Sequence, residues 1–365
     1  MVCILVTSCS GPVVPQFNPS AGTADDERSL GPTNLNRLQE LTHFDFGDQV
    51  PVAGLAFSTD SSRLSAVHLS YKLRNLDLIH NTLASEFSIT PVSMNTTVFD
   101  REARQVAVIR GDRLGFPAVN EPVERKGLRV WDTQTGLLKM DSYLLRFPGD
   151  GPEYLAFTPN SEWFIKYSVG GIKPWNIAED SGSHSWSKVF MEFGAEYAHA
   201  DDPHAFAIDL EGIYIAEGRG SGIIVMGKLD LSMPSYERVA DLKTPGFKTL
   251  DANWDPNALG FSPDRHWLAV AAKKHFFVLD LQRGGQAHFT SELPITSAVS
   301  AVAFDPTGRL IAHGSKNGWQ VWDVVNKKLL YEDTSVPVYV VAFSPDGRLI
   351  ATGDAKGVVR IWTII

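Results

Sequence analysis

Short apolar runs separated by turn-forming residues recur through most of this chain. The pattern is cleanest at its end, where residues 336–365 read VPVYVVAFSPDGRLIATGDAKGVVRIWTII. Val340–Phe343 reads as a strand. Ser344-Pro345-Asp346-Gly347 then reads as a turn, because Pro presets φ at its second position and Gly tolerates a positive φ at its end. Leu349–Thr352 and Val358–Trp362 read as two further strands around a second turn, residues 353–357. A three-stranded meander alone buries little and leaves two open edges, so this one predicts copies of itself.

Those copies are present. Aligned on Phe343, the counterparts are Phe57, Phe99, Phe157, Phe206, Phe261 and Phe304, at successive spacings of 42, 58, 49, 55, 43 and 39 residues. The residue before each anchor is Ala or Gly in every case but Val98. Three residues after it stand Asp60, Glu102, Asn160, Asp209, Asp264, Thr307 and Asp346. With a strand period of two, the Phe and its small neighbour face opposite sides of a sheet. If sheets stack radially, the small residue of one makes room for the Phe of the next. The acid after the turn can accept hydrogen bonds from nearby backbone N–H groups.

The segment VAFSPDGRLIA followed by VRIW resembles the WD-repeat (WD40) β-propeller family. The Trp-Asp pair stands as Trp131-Asp132 and Trp322-Asp323, and in altered form as Trp175-Asn176, Leu279-Asp280 and Trp362-Thr363. The resemblance covers residues 36–365. It is strong in the last three repeats and the third, and weaker in the first, second and fourth. The Gly-His pair that the family places before each first strand is absent, so the resemblance does not extend to the family's His-Asp-Ser/Thr-Trp hydrogen-bond network. The resemblance implies an all-β, seven-bladed β-propeller of four-stranded antiparallel blades. The chain ends on a third strand, so the N-terminal segment Arg37–Phe46 is expected to pair with the last blade and close the ring.

A chain of 365 residues with 44% apolar content can fill one large β domain. A formal net charge of −9 without Lys/Arg runs argues against binding to nucleic acid or an anionic membrane surface. No apolar run approaches the roughly 20 residues of a membrane-spanning helix. Both cysteines, Cys3 and Cys9, precede the repeats, which excludes cysteine-based zinc sites in the fold.

Residues 1–9, MVCILVTSC, end in Val6-Thr7-Ser8-Cys9. This resembles the lipobox of bacterial lipoproteins, in which the cysteine is lipidated, although the charged n-region is missing. The alternative is a short N-terminus that happens to carry Cys. Residues 10–35 are rich in Ser, Gly, Pro, Asp and Asn and read as a disordered tether. The expectation is a monomeric propeller lipid-anchored at the bacterial cell envelope through Cys9; the alternative is a cytoplasmic protein.

Few residues point to chemistry. His199, Asp201 and His204 are the densest cluster of metal-ligand types, but His204 falls on a strand and a paired histidine is the simpler reading. Gly218-Arg-Gly-Ser-Gly222 lacks a following helix and reads as a turn, not a phosphate cradle. HExxH and GxSxG motifs are absent. Four residues before each Phe anchor stand Ala53, Asn95, Glu153, Asp202, Asn257, Ser300 and Tyr339. All but Ala53 are polar and fall where the innermost strands begin, so they are candidates for a ring around the channel that faces a partner; the alternative is solvated strand starts. No catalytic residue and no cofactor is expected. The resemblance implies a non-catalytic scaffold for protein partners, the alternative being a propeller enzyme or a small-ligand or metal binder that uses the channel.

Overall fold

The computed structural model describes residues 29–89, 94–110, 126–144, 154–158, 160–168, 171–177, 203–209, 211–212, 214–219, 223–230, 235–243, 256–272, 275–282 and 288–365. The strands, in chain order, are β1 (Leu38–Phe44), β2 (Val52–Phe57), β3 (Arg63–His68), β4 (Lys72–Asp77) and β5 (Thr82–Ser88). There follow β6 (Met94–Phe99), β7 (Gln105–Arg110), β8 (Lys126–Asp132), β9 (Leu138–Leu144), β10 (Tyr154–Phe157), β11 (Trp163–Ser168) and β12 (Gly171–Asn176). Next come β13 (Pro203–Ile208), β14 (Tyr214–Arg219), β15 (Ile223–Asp230), β16 (Ser235–Lys243), β17 (Pro256–Phe261), β18 (Trp267–Ala272), β19 (His275–Asp280) and β20 (His288–Glu292). The last are β21 (Val299–Phe304), β22 (Leu310–Ser315), β23 (Gly318–Asp323), β24 (Lys328–Asp333), β25 (Val338–Phe343), β26 (Ile350–Asp354) and β27 (Val359–Ile364). Every pairing is antiparallel between neighbours in sequence, save that β1 pairs with β27.

The expectation of seven four-stranded blades is corrected. Six sheets are four-stranded blades, and the sheet β10-β11-β12 has only three strands among the described residues. Its third strand carries a proline at its outer edge. Ile177 donates its N–H to Glu162 O at 2.9 Å, so alternate residues back along β12, Trp175 and Lys173, also face β11. Pro174 therefore turns its nitrogen to the outer edge, where a fourth strand would need a donor and proline has none.

Innermost strands touch in chain order, and the last, β25, returns to β2. The core lies between sheets. Phe343 shares a cluster with Ala301 and Ala303 of the preceding sheet, Phe304 with Ala258, and Phe57 with Ala342. Phe99 packs with Ala53 and Ala56, and a Cβ on Gly54 would sit 3.2 Å from its ring. Small residues thus admit the next sheet's phenylalanine, as the alternation requires.

The turn after each innermost strand repeats one geometry. Its first residue is Ser, Thr or Asp, whose side chain accepts from the strand that follows: Trp267 N to Ser262 Oγ at 2.8 Å and Leu310 N to Asp305 Oδ1 at 2.6 Å. Three of the acids expected to cap the turn do so: Asp60, Asp264 and Asp346 each accept from the N–H two residues on at 3.0–3.1 Å. The fourth residue is left-handed whether Gly (Gly308, Gly347) or not (Ser61, Ala103, Arg265).

Ring closure joins the two ends of the chain. β1 runs antiparallel to β27 from Leu38↔Ile364 to Phe44↔Val359, and Arg37 Nε donates to Ile365 O at 2.9 Å. Packing begins earlier than residue 36: Leu30 and Leu35 are buried in the last blade's core, and Leu30 N donates to Gly347 O at 2.8 Å.

Candidate functional site

An innermost strand begins on one face of the disc and descends to the other. The turns β3–β4 and β22–β23 therefore return to the starting face, while the turns β4–β5 and β23–β24 lie on the opposite one. On the starting face, each innermost strand of the six complete blades carries a β-bulge, one extra residue against its neighbour. The pairing skips Ala53, Asn95, His204, Asn257, Ser300 and Tyr339. Four of the candidate ring residues, Asn95, Asn257, Ser300 and Tyr339, are thus bulge residues at the start of the innermost strands.

The fourth repeat corrects the alignment. Ile208, not Phe206, pairs with the second residue of the next strand as Phe57 does, and Asp209 takes the turn position held by Ser58. The bulge in that blade is therefore His204, two residues after Asp202. Phe206 remains fully buried and kept the same inward parity, which is why a two-residue slip left the hydrophobic pattern intact.

Ser300 and Tyr339 are half-buried. Ser300 Oγ donates to Val338 O at 3.0 Å and ties one innermost strand to the next. The side chains of Asn95, His204 and Asn257 lie outside the described residues, as do Cys9, Glu153, His199, Asp201 and Asp202 altogether. Among the described residues, no group of three or more His, Cys, Asp or Glu is arranged to hold a metal ion, and no helix is long and apolar enough to cross a membrane.

The third strands contribute polar groups that the anchor alignment passed over. Arg74, Arg129, Gln320 and Arg360 occupy the same place, two residues before Leu76, Trp131, Trp322 and Trp362. Each reaches an acid of the outer strand: Arg74 to Glu86 at 2.7 Å, Arg129 to Asp141 at 3.0 Å, Gln320 to Glu332 at 2.6 Å, and Arg360 to Glu40 at 3.4 Å. Arg74 is buried, also pairs with Asp48 on the β1–β2 connection, and lies 4.1 Å over the Phe46 ring. The Arg74 hydrogen bond holds the Asp48 carboxyl below its usual range, and Lys72 with Arg74 does the same for Glu86. His68, edge-on to Phe46, is fully buried, and burial lowers it to about 4. In the sequence, the signal was a polar residue alternating with the Trp of the third strand.

Comparison with known proteins agrees with this geometry. Residues 287–323 and 327–363 match the family model described as WD40: WD domain, G-beta repeat. Each match runs from an outer strand through the next sheet's three inner strands, so the sequence repeat is staggered against the blade. No curated protein matches the chain. Among solved structures, the chain is similar to the β-propeller domain of Myceliophteria thermophila Cps50 (Swd1), with a TM-score of 0.67 and 15% identity, over 90% of this chain and 100% of that one. The fold is an all-β β-propeller with two WD40 repeats at its C-terminal end.

Proposed function

We propose that this propeller is a non-catalytic platform that binds a protein partner on its bulged face. The observation that carries the reading is the recurrence of a bulge at the start of six innermost strands. Bulges re-aim side chains and are over-represented beside functional sites. WD40 propellers generally bind protein partners, which supports the same reading by fold analogy. We further propose attachment to the cell envelope through a lipid on Cys9, supported by Val6-Thr7-Ser8-Cys9 and the polar segment that follows.

Site-specific photo-cross-linking tests the platform. A photoreactive residue at Tyr339 should capture one defined protein. The same residue at Val325, exposed in the β23–β24 turn on the opposite face, should not. Equal capture from both faces contradicts the reading, as does turnover of a small molecule that is lost on changing Tyr339. Mass spectrometry of the native chain tests the anchor: it should begin at a lipidated Cys9, and an unmodified Met1 contradicts it.

A further inference from the structure

Of the large apolar side chains exposed among the described residues, all but Leu41 sit where a third strand passes to an outer one, on the face opposite the bulges. Ile79 lies in the β4–β5 turn and is 74% exposed, Leu137 in the β8–β9 turn at 66%, and Val325 in the β23–β24 turn at 57%. Ile365, 62% exposed, follows β27 at the place where β1 begins. The four blades that carry them are consecutive, because β21, β25, β2 and β6 touch in that order. Ile79, Val325 and Ile365 occupy one equivalent position, three residues after Leu76, Trp322 and Trp362. In the blade β17–β20 that position, three after Leu279, is the exposed Gln282, so the turn itself does not require an apolar residue. Single exposed apolar side chains are ordinary, but a row at matching places on consecutive blades marks a contact surface.

The charges beside the row have a consistent arrangement. The acid of each turn bonds the turn's own backbone: Asp77 accepts from Ile79 N at 3.0 Å, Asp132 from Thr135 N at 2.8 Å and Asp323 from Asn326 N at 2.9 Å. Exposed cations flank the apolar residues. Lys327 and Lys328 follow Val325, Lys139 follows Leu138, and Arg37 Nε reaches Ile365 O. Apolar side chains flanked by long cationic ones fit a phospholipid interface, where the first enter the acyl boundary and the second meet phosphate. The chain also joins the fold on this face. Leu30 N donates to Gly347 O in the β25–β26 turn, within one of the four blades. Cys9 lies 20 residues before Ser29. As a flexible tether, that length would span about 25 Å.

We propose that the row Val325, Ile365, Ile79 and Leu137 docks on a phospholipid bilayer, so that the bulged face points away from the membrane toward its partner. This rests on the reading that Cys9 carries a lipid: a lipid there holds the row close to the bilayer, where contacts too weak to recruit a free protein suffice. The net charge of −9 disfavours a strongly anionic surface, so the bilayer that fits is a zwitterionic one.

Fluorescence on the full chain tests the docking. Cys3→Ser leaves Cys9 as the one thiol, which is coupled to a maleimide lipid in phosphatidylcholine vesicles. An environment-sensitive fluorescent residue is placed in turn at Ile79, at Val325 and at Lys356, which is exposed in the β26–β27 turn on the bulged face. On coupling to vesicles, emission from both Ile79 and Val325 should shift to the blue and be quenched by spin-labelled lipid, while emission from Lys356 stays unchanged. The absence of the shift at either apolar position, or an equal shift at Lys356, would overturn the proposal. So would a shift that appears without vesicles as the protein is concentrated, since it assigns the row to a second copy of this chain. Chemical coupling bypasses the native modification. An unlipidated Cys9 therefore shows in the mass spectrum of the native chain, whereas failure to dock shows only here.

Discussion

Gly347 ends its turn at φ +71°, with nothing closer than 3.8 Å to an added Cβ. Gly347→Ala should therefore cost only the left-handed strain, about 1–2 kcal/mol in chemical unfolding. Gly318 sits at φ +115°, and its Cβ would collide with the Asp333 carbonyl, so Gly318→Ala should cost more than Gly347→Ala. Equal losses would contradict the difference in their surroundings. Phe304→Ala empties a core site between two sheets and should cost about 3–5 kcal/mol, where a loss under about 1 kcal/mol would contradict the radial packing. Titration adds a third test. Burial lowers His68 and His313 from 6.5 to about 4. The unfolded chain thus takes up protons that the folded chain refuses between pH 6.5 and 4. The contribution of these neutral imidazoles is complete above pH 6.5 and is lost as the pH falls, by about 1.4 kcal/mol per pH unit for each histidine. Around His68 stand Arg74, Asp48, Glu86 and Asp354, and burial raises the Asp100 and Asp305 carboxyls, which opposes the trend at its acid end. Comparison with His313→Asn cancels those shared groups: the variant's stability should fall less steeply across the window, and parallel curves would contradict a buried neutral His313. The Ser-Pro-Asp-Gly turns were legible because their residues have narrow backbone preferences. The left-handed Ser61 and Arg265 were not, because distant partners hold them: Ser61 Oγ accepts from Asp346 N, and Arg265 pairs with Asp209 and Glu211.

At the level of strands, alternation located every anchor but could not show where a residue is added. The innermost strands bulge at one end, and the outer strands bulge as well, as at Leu41 of β1, the extra residue opposite Ile361 and Trp362 of β27. A bulge on an outer strand twists its open edge, one of the ways a sheet avoids pairing with a second molecule. Such insertions leave the neighbouring apolar pattern readable, which is why Asn95, Asn257, Ser300 and Tyr339 align at the start of their strands although the bulges there were not foreseen. The same tolerance hid the slip from Ile208 to Phe206. Pro174 presents no donor at the outer edge of the third sheet, a feature that was passed over because proline was weighed only in turns. The polar third-strand position yields a test of its own. Arg74→Met leaves Asp48 and Glu86 without their shared cation. A fully buried pair broken this way costs about 3–5 kcal/mol, and partial exposure of both acids reduces that to on the order of 2 kcal/mol. Replacing both acids as well, by Asn and Gln, should recover part of the loss. A triple variant no more stable than Arg74→Met would contradict the pairing.

For the molecule as a whole, closure is what turns a row of sheets into a disc with a single bulged face. Every other neighbouring pair of strands within a sheet is consecutive in the sequence, whereas Arg37 and Ile365 are 328 residues apart. The seam is tight: a Cβ on Gly353 of β26 would fall 2.6 Å from Val52 Cβ of β2. The pairing of the termini was legible because the chain ends on a third strand, and an unpaired apolar edge is a hazard that folds avoid. The extent of the N-terminal packing was not, since Leu30 stands alone in a polar stretch and only its contact with the last blade shows its role. The most direct test compares thermal melting of a chain beginning at Ser29 with one beginning at Gly47. Loss of β1 uncovers the β27 edge and removes the buried Leu30, Leu35, Leu38 and Phe44. The longer deletion should melt roughly 5–10 °C lower or lose its single cooperative transition, as a loss of several kcal/mol in a large domain requires. If both chains melt at the same temperature and with the same cooperativity, β1 does not close the ring and the account fails.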